Sequence, residues 1–321
     1  MSSWATTEWA AAALDDDVAR RVEPLLERAF GPEPGALGDT HALLVAHDGA
    51  IVVERYAEGV GPDTTLPSWS MAKSILHAVV GLLVKDGRMR LDDAVVDGHP
   101  DITVDHLLHM ASGLSFREDY VNAERSDVVA MLYGNGKTDM AAYAATQPKR
   151  HAPGEVVSYA SGTSNILSAA VARVVGPGDA YLHFLRERLF EPLGMQHATP
   201  KLDGAGTWVA SSYCYDSARD FARFGHLYLR DGTCDGTRLL PEGWVDHARS
   251  RLPGSAGEET AGAHWWLQPG PPGALSAHGY AGQRTVVVPS LGLVVVRLGE
   301  TPLASEGVVD RFLDELISVF E

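Results

Sequence analysis

Cysteine is nearly absent: Cys214 and Cys234 are the two in 321 residues. Two are too few for a disulfide framework, and a reducing cytoplasm is the simplest home for such a chain. Long apolar runs are missing as well. Nothing approaches the roughly 18 consecutive apolar residues of a membrane span, so no membrane partner is expected. The start, Met1-Ser2-Ser3-Trp4-Ala5-Thr6-Thr7-Glu8, has no basic stretch, and the alanines behind it end in Asp15-Asp16-Asp17. That pattern does not read as a secretory signal. Basic residues are outnumbered, 26 Lys and Arg against 42 Asp and Glu, for a net charge of −16. Nucleic acid and anionic lipid both want basic patches, so neither is an expected partner.

Some motifs are absent too. No G-x-S-x-G elbow occurs, which counts against an α/β-hydrolase fold. No H-E-x-x-H occurs; His106 and His109 lie near each other, but no acidic third ligand is obvious, and no metal or cofactor is expected. Gly136-Lys137-Thr138 resembles the end of a phosphate-binding loop, yet Met131 stands where its first glycine belongs.

What is present is an ordinary globular composition, 45% hydrophobic and 21% charged, in a chain long enough for two lobes. Helical spacing runs from Asp17 to Phe30 and from Glu306 to Phe320. His41–His47 and Ala50–Tyr56 flank Asp48-Gly49, a strong hairpin signal, and a second hairpin pairs Arg284–Pro289 with Leu293–Arg297. Between them lie helical stretches at 104–110, 126–133, 163–175 and 180–190. Strands near both ends with helices between predict an α/β fold: an antiparallel sheet flanked by helices, with an inserted all-helical lobe. The expected division is 1–85 plus 206–321 for the sheet domain and 86–205 for the helical one, with the active site at their interface.

Three short motifs carry chemistry. Ser70-Met71-Ala72-Lys73 opens the apolar helical run 74–84. A serine and a lysine three apart share a helix face, and a neutral amine there takes the hydroxyl proton. The helix N-terminus adds free N–H groups for an oxyanion. By itself the spacing is equally that of a capping serine. Tyr159-Ala160-Ser161 offers a phenol able to act as general base and then general acid. Ala277-His278-Gly279-Tyr280 supplies small residues before a strand, where a backbone N–H can complete an oxyanion hole.

In this order, over 41–296, the three motifs resemble those of the serine β-lactamase-like hydrolase superfamily. The likeness is to its class C β-lactamase, carboxylesterase and 6-aminohexanoate-dimer hydrolase branch. Trp69–Ser74, Leu107–Leu114, Glu118-Asp119-Tyr120, Pro192–Met195, Ala218–Gly225 and Trp265-Trp266-Leu267 support it. The resemblance implies Ser70 as nucleophile, Lys73 as its base and Tyr159 as the second proton-transfer group. It implies an oxyanion hole from the N–H groups of Ser70 and Tyr280, and substrate contacts from Tyr120, Ser161, Trp266, His278 and Gly279.

Two departures set the chain apart. Ser161 stands where class C enzymes carry asparagine, and Ala277-His278-Gly279 replaces their Lys-Thr-Gly. Without that lysine, a β-lactam carboxylate loses its charge-assisted contact unless His278 or Arg284 supplies one. The expected activity is therefore hydrolysis of a small ester or amide through an acyl-enzyme on Ser70. Acyltransferase, D-Ala-D-Ala carboxypeptidase, weak β-lactamase and non-enzymatic ligand-binding readings are the alternatives. The sequence names neither the substrate nor the oligomeric state, and leaves open whether Cys214 and Cys234 pair.

Overall fold

The structure, a computed structural model, describes residues 8–33 and 35–321. The leaderless reading of the first seven residues lies outside them. Six strands form the central sheet: β1 (Ala10–Ala11), β2 (Asp39–His47), β3 (Ala50–Tyr56), β4 (Leu275–Gly279), β5 (Gln283–Val288) and β6 (Leu293–Glu300). Their order is β1-β3-β2-β6-β5-β4, antiparallel except for the short β1, which runs parallel to β3 and makes the sheet mixed. Both expected hairpins are there. Asp48 and Gly49 take φ of +48° and +86°, the backbone sense that a tight two-residue hairpin needs.

Alternation along the strands sorts side chains to two faces. Leu43, Val45, Val286, Val288 and Val295 face α1 (Asp16–Phe30) and α7 (Glu306–Ser318), where Val22, Leu26, Phe312 and Leu316 meet them. Leu44, Ala46, Val287, Val294 and Val296 face the opposite way, toward α2 (Met71–Lys85) and α5 (Ala218–Leu229). Covered on both faces, these strands read as near-continuous apolar runs. Gly225 of α5 permits the close approach: a Cβ there would stand 2.6 Å from Val294 Cγ1.

The main core continues from α2 and α5 into the helices of 104–195, among them α3 (Val104–Leu108) and α4 (Ser161–Val175). That region is not purely helical, because Ala94–Val96 and His99–Thr103 form a small hairpin in it. The stretch read as one helix over 180–190 is an α-helix, Asp179–Leu185, followed by a π-helical turn, Arg186–Phe190. Cys214 and Cys234 are both buried free thiols and do not pair. No helix among the described residues is long and apolar enough to cross a membrane.

Phe312 is 2% exposed beneath the sheet, whereas Tyr133 is 58% exposed. Phe312→Ala is expected to cost about 3–5 kcal/mol of unfolding free energy in urea titrations. Tyr133→Ala should stay within about 0.5 kcal/mol.

Candidate active site

Ser70 immediately precedes α2, with φ of −68° and ψ of −6°, and its side chain makes no capping hydrogen bond. The capping role open to it on sequence alone is therefore not the one it takes. The residue before it is forced into an uncommon conformation: Trp69 has φ of +44°. Ser68 pins that turn. Its N–H donates to Cys214 O at 3.0 Å, and its Oγ accepts from Cys214 N–H at 3.0 Å. A short strand, Cys214–Asp216, thus holds the turn that presents Ser70.

Lys73, one turn into α2, is 3% exposed. Its Nζ lies 2.9 Å from Ser70 Oγ, 3.1 Å from Ser161 Oγ and 2.7 Å from the Ser211 carbonyl. Burial lowers its pKa to about 8, against an opposing pull from Glu118. At that value about a tenth of the amine is neutral at pH 7, against roughly one part in 3,000 for an ordinary lysine. As the ammonium, the amine donates to all three oxygens. In the neutral form its two N–H bonds serve Ser211 O and Ser161 Oγ, and the lone pair is left for the Ser70 hydroxyl proton.

Ser161 can accept from Lys73 because its own proton is committed elsewhere. Its Oγ donates to Glu118 Oε1 at 2.5 Å, and its N–H donates to Glu118 Oε2 at 2.8 Å. Ser161 opens α4, whose preceding residue Ala160 offers no side-chain cap. The Glu118 carboxylate fills that place, as charge at a helix N-terminus should. Tyr120 also donates its hydroxyl to Glu118. Glu118 therefore joins two of the expected substrate-contacting residues. No spacing signal marks it, since Ser161 is 43 residues away.

Tyr159 packs beneath the amine, with Lys73 Nζ 4.8 Å from its ring centroid. Burial and the Glu118 charge push its phenol pKa upward, while the Ser70 hydroxyl pulls the other way. At neutral pH it is thus a protonated phenol, a donor. Its ring stacks on Trp266 at 5.8 Å, and Trp266 stacks on His278 at 5.4 Å. Burial and Arg284 hold His278 well below the usual imidazole range, and its Nε2 donates to Gln268 O at 2.9 Å. His278 is therefore neutral and supplies no cation. Arg284 does not supply the missing cation: it is His278's partner in the ladder, but its guanidinium is tied to Asp310 at 2.8 Å. Ala277 points into the main core, 1% exposed.

The second backbone donor stands at the end of the edge strand β4. A Cβ on Gly279 would come within 2.3 Å of Ser68 O, so only glycine lets this strand lie against the turn that carries Ser70. Tyr280 follows, its ring 5.7 Å from Trp69 and 5.3 Å from Tyr120. Neither Ser70 N–H nor Tyr280 N–H donates to another backbone carbonyl among the described residues. The loop is braced from behind. Arg297 donates to the carbonyls of Ala281 and Gly282, and Gln283 Nε2 to those of Tyr280 and Gly299. Beside Ser70, Lys73, Tyr159, Trp266 and His278 lies a narrow cavity of about 20 Å³. Trp69 and Tyr280 border a wider groove of about 460 Å³.

Ser70, Lys73, Tyr159, Trp266 and His278 thus border one cavity and Tyr280 the neighbouring groove. Ser161, Tyr120 and Gly279 are joined to them through Lys73, Glu118 and the Ser68 turn. Sequence reasoning missed Glu118 as a link, Ser68, Ser211, Arg297 and Trp69. Each acts through a partner distant in the chain or through a backbone atom.

A buried lysine on a helical serine, a tyrosine beside it and a sheet edge alongside define a serine hydrolase of the β-lactamase/transpeptidase-like fold. The comparisons agree. The family model described as Beta-lactamase matches residues 25–316, and the chain belongs to that family. The 6-aminohexanoate-dimer hydrolase of Paenarthrobacter ureafaciens is 27% identical over 292 aligned residues, covering 82% of this chain and 73% of that one. Among solved structures, a Bacillus anthracis protein provisionally named 6-aminohexanoate-dimer hydrolase superposes with a TM-score of 0.79 at 21% identity. It covers 98% of this chain and 87% of the other. A family VIII carboxylesterase superposes with a TM-score of 0.69 at 17% identity, covering 97% and 98%.

Gly279→Ala should push β4 off the Ser68 turn. The expected result is a loss of kcat on an aryl ester on the order of 10²-fold, the usual effect of displacing a reacting group by about 1 Å. Circular dichroism should show an unchanged fold.

Proposed function

We propose that the chain hydrolyses small esters or amides through an acyl-enzyme on Ser70. The observation that carries this reading is the 2.9 Å contact between Ser70 Oγ and the buried, weakly basic Lys73. Ser70 Oγ attacks the acyl carbon as its proton passes to Lys73 Nζ. The N–H groups of Ser70 and Tyr280 hold the oxygen that gains charge. The phenol of Tyr159 gives its proton to the departing oxygen or nitrogen and regains one from the Lys73 ammonium. Water then attacks the ester on Ser70, Lys73 takes its proton, and Ser70 leaves with the proton returned. Tyr120, Ser161, Trp266, His278 and Gly279 line the path of the substrate.

The substrate class follows from charge. With Ala277 in the core and Arg284 held by Asp310, neither position offers a cation to a substrate carboxylate. That favours neutral esters and amides over β-lactams. The relative named for the 6-aminohexanoate dimer and the structural neighbour named carboxylesterase support an amide or ester as the bond cleaved.

Lys73 must be neutral to act, so activity is present above its pKa and is lost as pH falls through it. For p-nitrophenyl acetate, kcat/KM should rise along a limb with an apparent pKa of about 8. A fluorophosphonate should add one label, absent in Ser70→Ala by intact-mass spectrometry. Labelling that survives in that variant would mean another serine is the nucleophile.

Tyr159→Phe should slow acylation by about 10²–10⁴-fold. The loss should be larger for amides, whose amine leaves only when protonated, than for activated aryl esters. Equal losses on both would reduce Tyr159 to a positioning role.

A further inference from the structure

Beneath α2, away from Ser70, lies a second cluster of chemistry-bearing side chains. Asp105 in the first turn of α3, His109 just after it, and His247 of α6 (Trp244–Arg249) bring one donor atom each within 4.8 Å of one another. Asp105 Oδ1 is 2.8 Å from His247 Nε2 and 3.1 Å from His109 Nδ1. His106, the neighbour of His109 in the sequence reading, is not part of it and accepts from Thr103 N–H instead.

Hydrogen-bond bookkeeping shows what this cluster needs. The Ser250 hydroxyl has one proton, which goes to His247 O at 2.7 Å. Ser250 Oγ must therefore accept from His109 Nε2, 3.1 Å away, which puts the ring proton of His109 on Nε2. Its Nδ1 lone pair then faces two acceptors, Asp105 Oδ1 at 3.1 Å and Asp105 O at 3.0 Å. His247 Nε2 meets Asp105 Oδ1 as an N–H donor or through a bound cation, whereas His109 Nδ1, facing two oxygens, needs a second ring proton or a metal ion.

We propose that Asp105, His109 and His247 form a binding site for a divalent first-row transition-metal ion of the Zn²⁺ type. The donors are His109 Nδ1, His247 Nε2 and an Asp105 carboxylate oxygen, the nitrogen and oxygen set that suits Zn²⁺. Tetrahedral ligands at 2.0–2.1 Å sit about 3.4 Å apart; the present separations from Asp105 are 2.8 Å and 3.1 Å, and all three donors lie within 4.8 Å. The non-ligating nitrogens already have partners, as metal-bound histidines require. His109 Nε2 donates to Ser250. His247 Nδ1 meets His77 Nε2 at 3.2 Å, and His77 Nδ1 meets Tyr228 Oη at 2.7 Å. With metal on Nε2, His247 Nδ1–H donates to His77 Nε2 and His77 Nδ1–H to Tyr228 Oη. Asp105 keeps 32% of its side chain exposed, which gives the ion access and leaves a place for water. The ion would tie α3 to α6 beneath the helix that bears Ser70 and Lys73.

The test is calorimetric titration of ZnCl₂ into chelator-treated full-length protein, in buffers of different ionisation enthalpy. One ion per chain with Kd tighter than about 1 µM is expected. His109→Gln and His247→Gln should each weaken binding by at least about 100-fold, and Ser250→Ala by about 10-fold. Wild-type protein loaded with Co²⁺ should show the visible bands of a four- or five-coordinate nitrogen and oxygen site, a readout that needs no variant. Absence of saturable one-to-one binding, or an affinity unchanged in both histidine variants, would overturn the site. The charge between the three groups would then be a proton.

Discussion

Everything at the candidate site hangs on the burial of one amine. Lys73 is taken out of water among α2, α4 and the 211–213 segment, and desolvation, opposed by the Glu118 charge, brings its pKa down to about 8. The cost is tolerable because the head group is not left unpartnered: Ser70, Ser161 and Ser211 surround it. An exposed lysine at the same helical spacing would stay charged and could accept nothing. Burial turns the S-x-x-K spacing into chemistry, and it comes from the packing of the three segments.

Glu118 tunes this arrangement from the side. Its carboxylate lies near enough to raise the pKa of Lys73, and also those of Tyr159 and Tyr120. Both oxygens are engaged with Ser161, which fixes the start of α4 and the direction of the Ser161 hydroxyl. Burial and this one negative charge together keep two phenols protonated, and the charge limits how far Lys73 loses its basicity. On the proposed mechanism this separates a base from an acid within one cleft, with no histidine taking part.

The helix that carries the reactive pair is supported by polar contacts as well as apolar ones. Ser74 donates to His264 O at 2.7 Å, His264 Nδ1 donates to Leu108 O at 2.6 Å, and Ser164 meets His264 Nε2 at 3.0 Å. Burial lowers the His264 pKa to about 3, so the ring is a neutral linker among α2, α3 and α4. One turn beyond Lys73, His77 joins the Tyr228 and His247 chain. Such fully partnered networks fix helix positions more sharply than apolar contacts alone.

Much was legible in the sequence. The hairpin at Asp48-Gly49, the terminal helices and the Ser70–Lys73 pair depend on neighbours within a few residues, where period and turn chemistry suffice. The series of family-like segments pointed to the fold and to the residues that converge on the cleft. Other features depend on groups far apart in the chain, which no local pattern encodes. Glu118 meets Ser161 across 43 residues, Lys73 meets Ser211 across 138, and Asp105 meets His247 across 142. Asp105 pairs with His109 and with His247 of α6, and His106 stays apart from them. Arg284 was left open as a cation for the cleft, and only its ion pair with Asp310 removed it. The sequence by itself determined which residue types could react, because composition and spacing are local. The tertiary structure alone decided their protonation, since burial and distant charges set it.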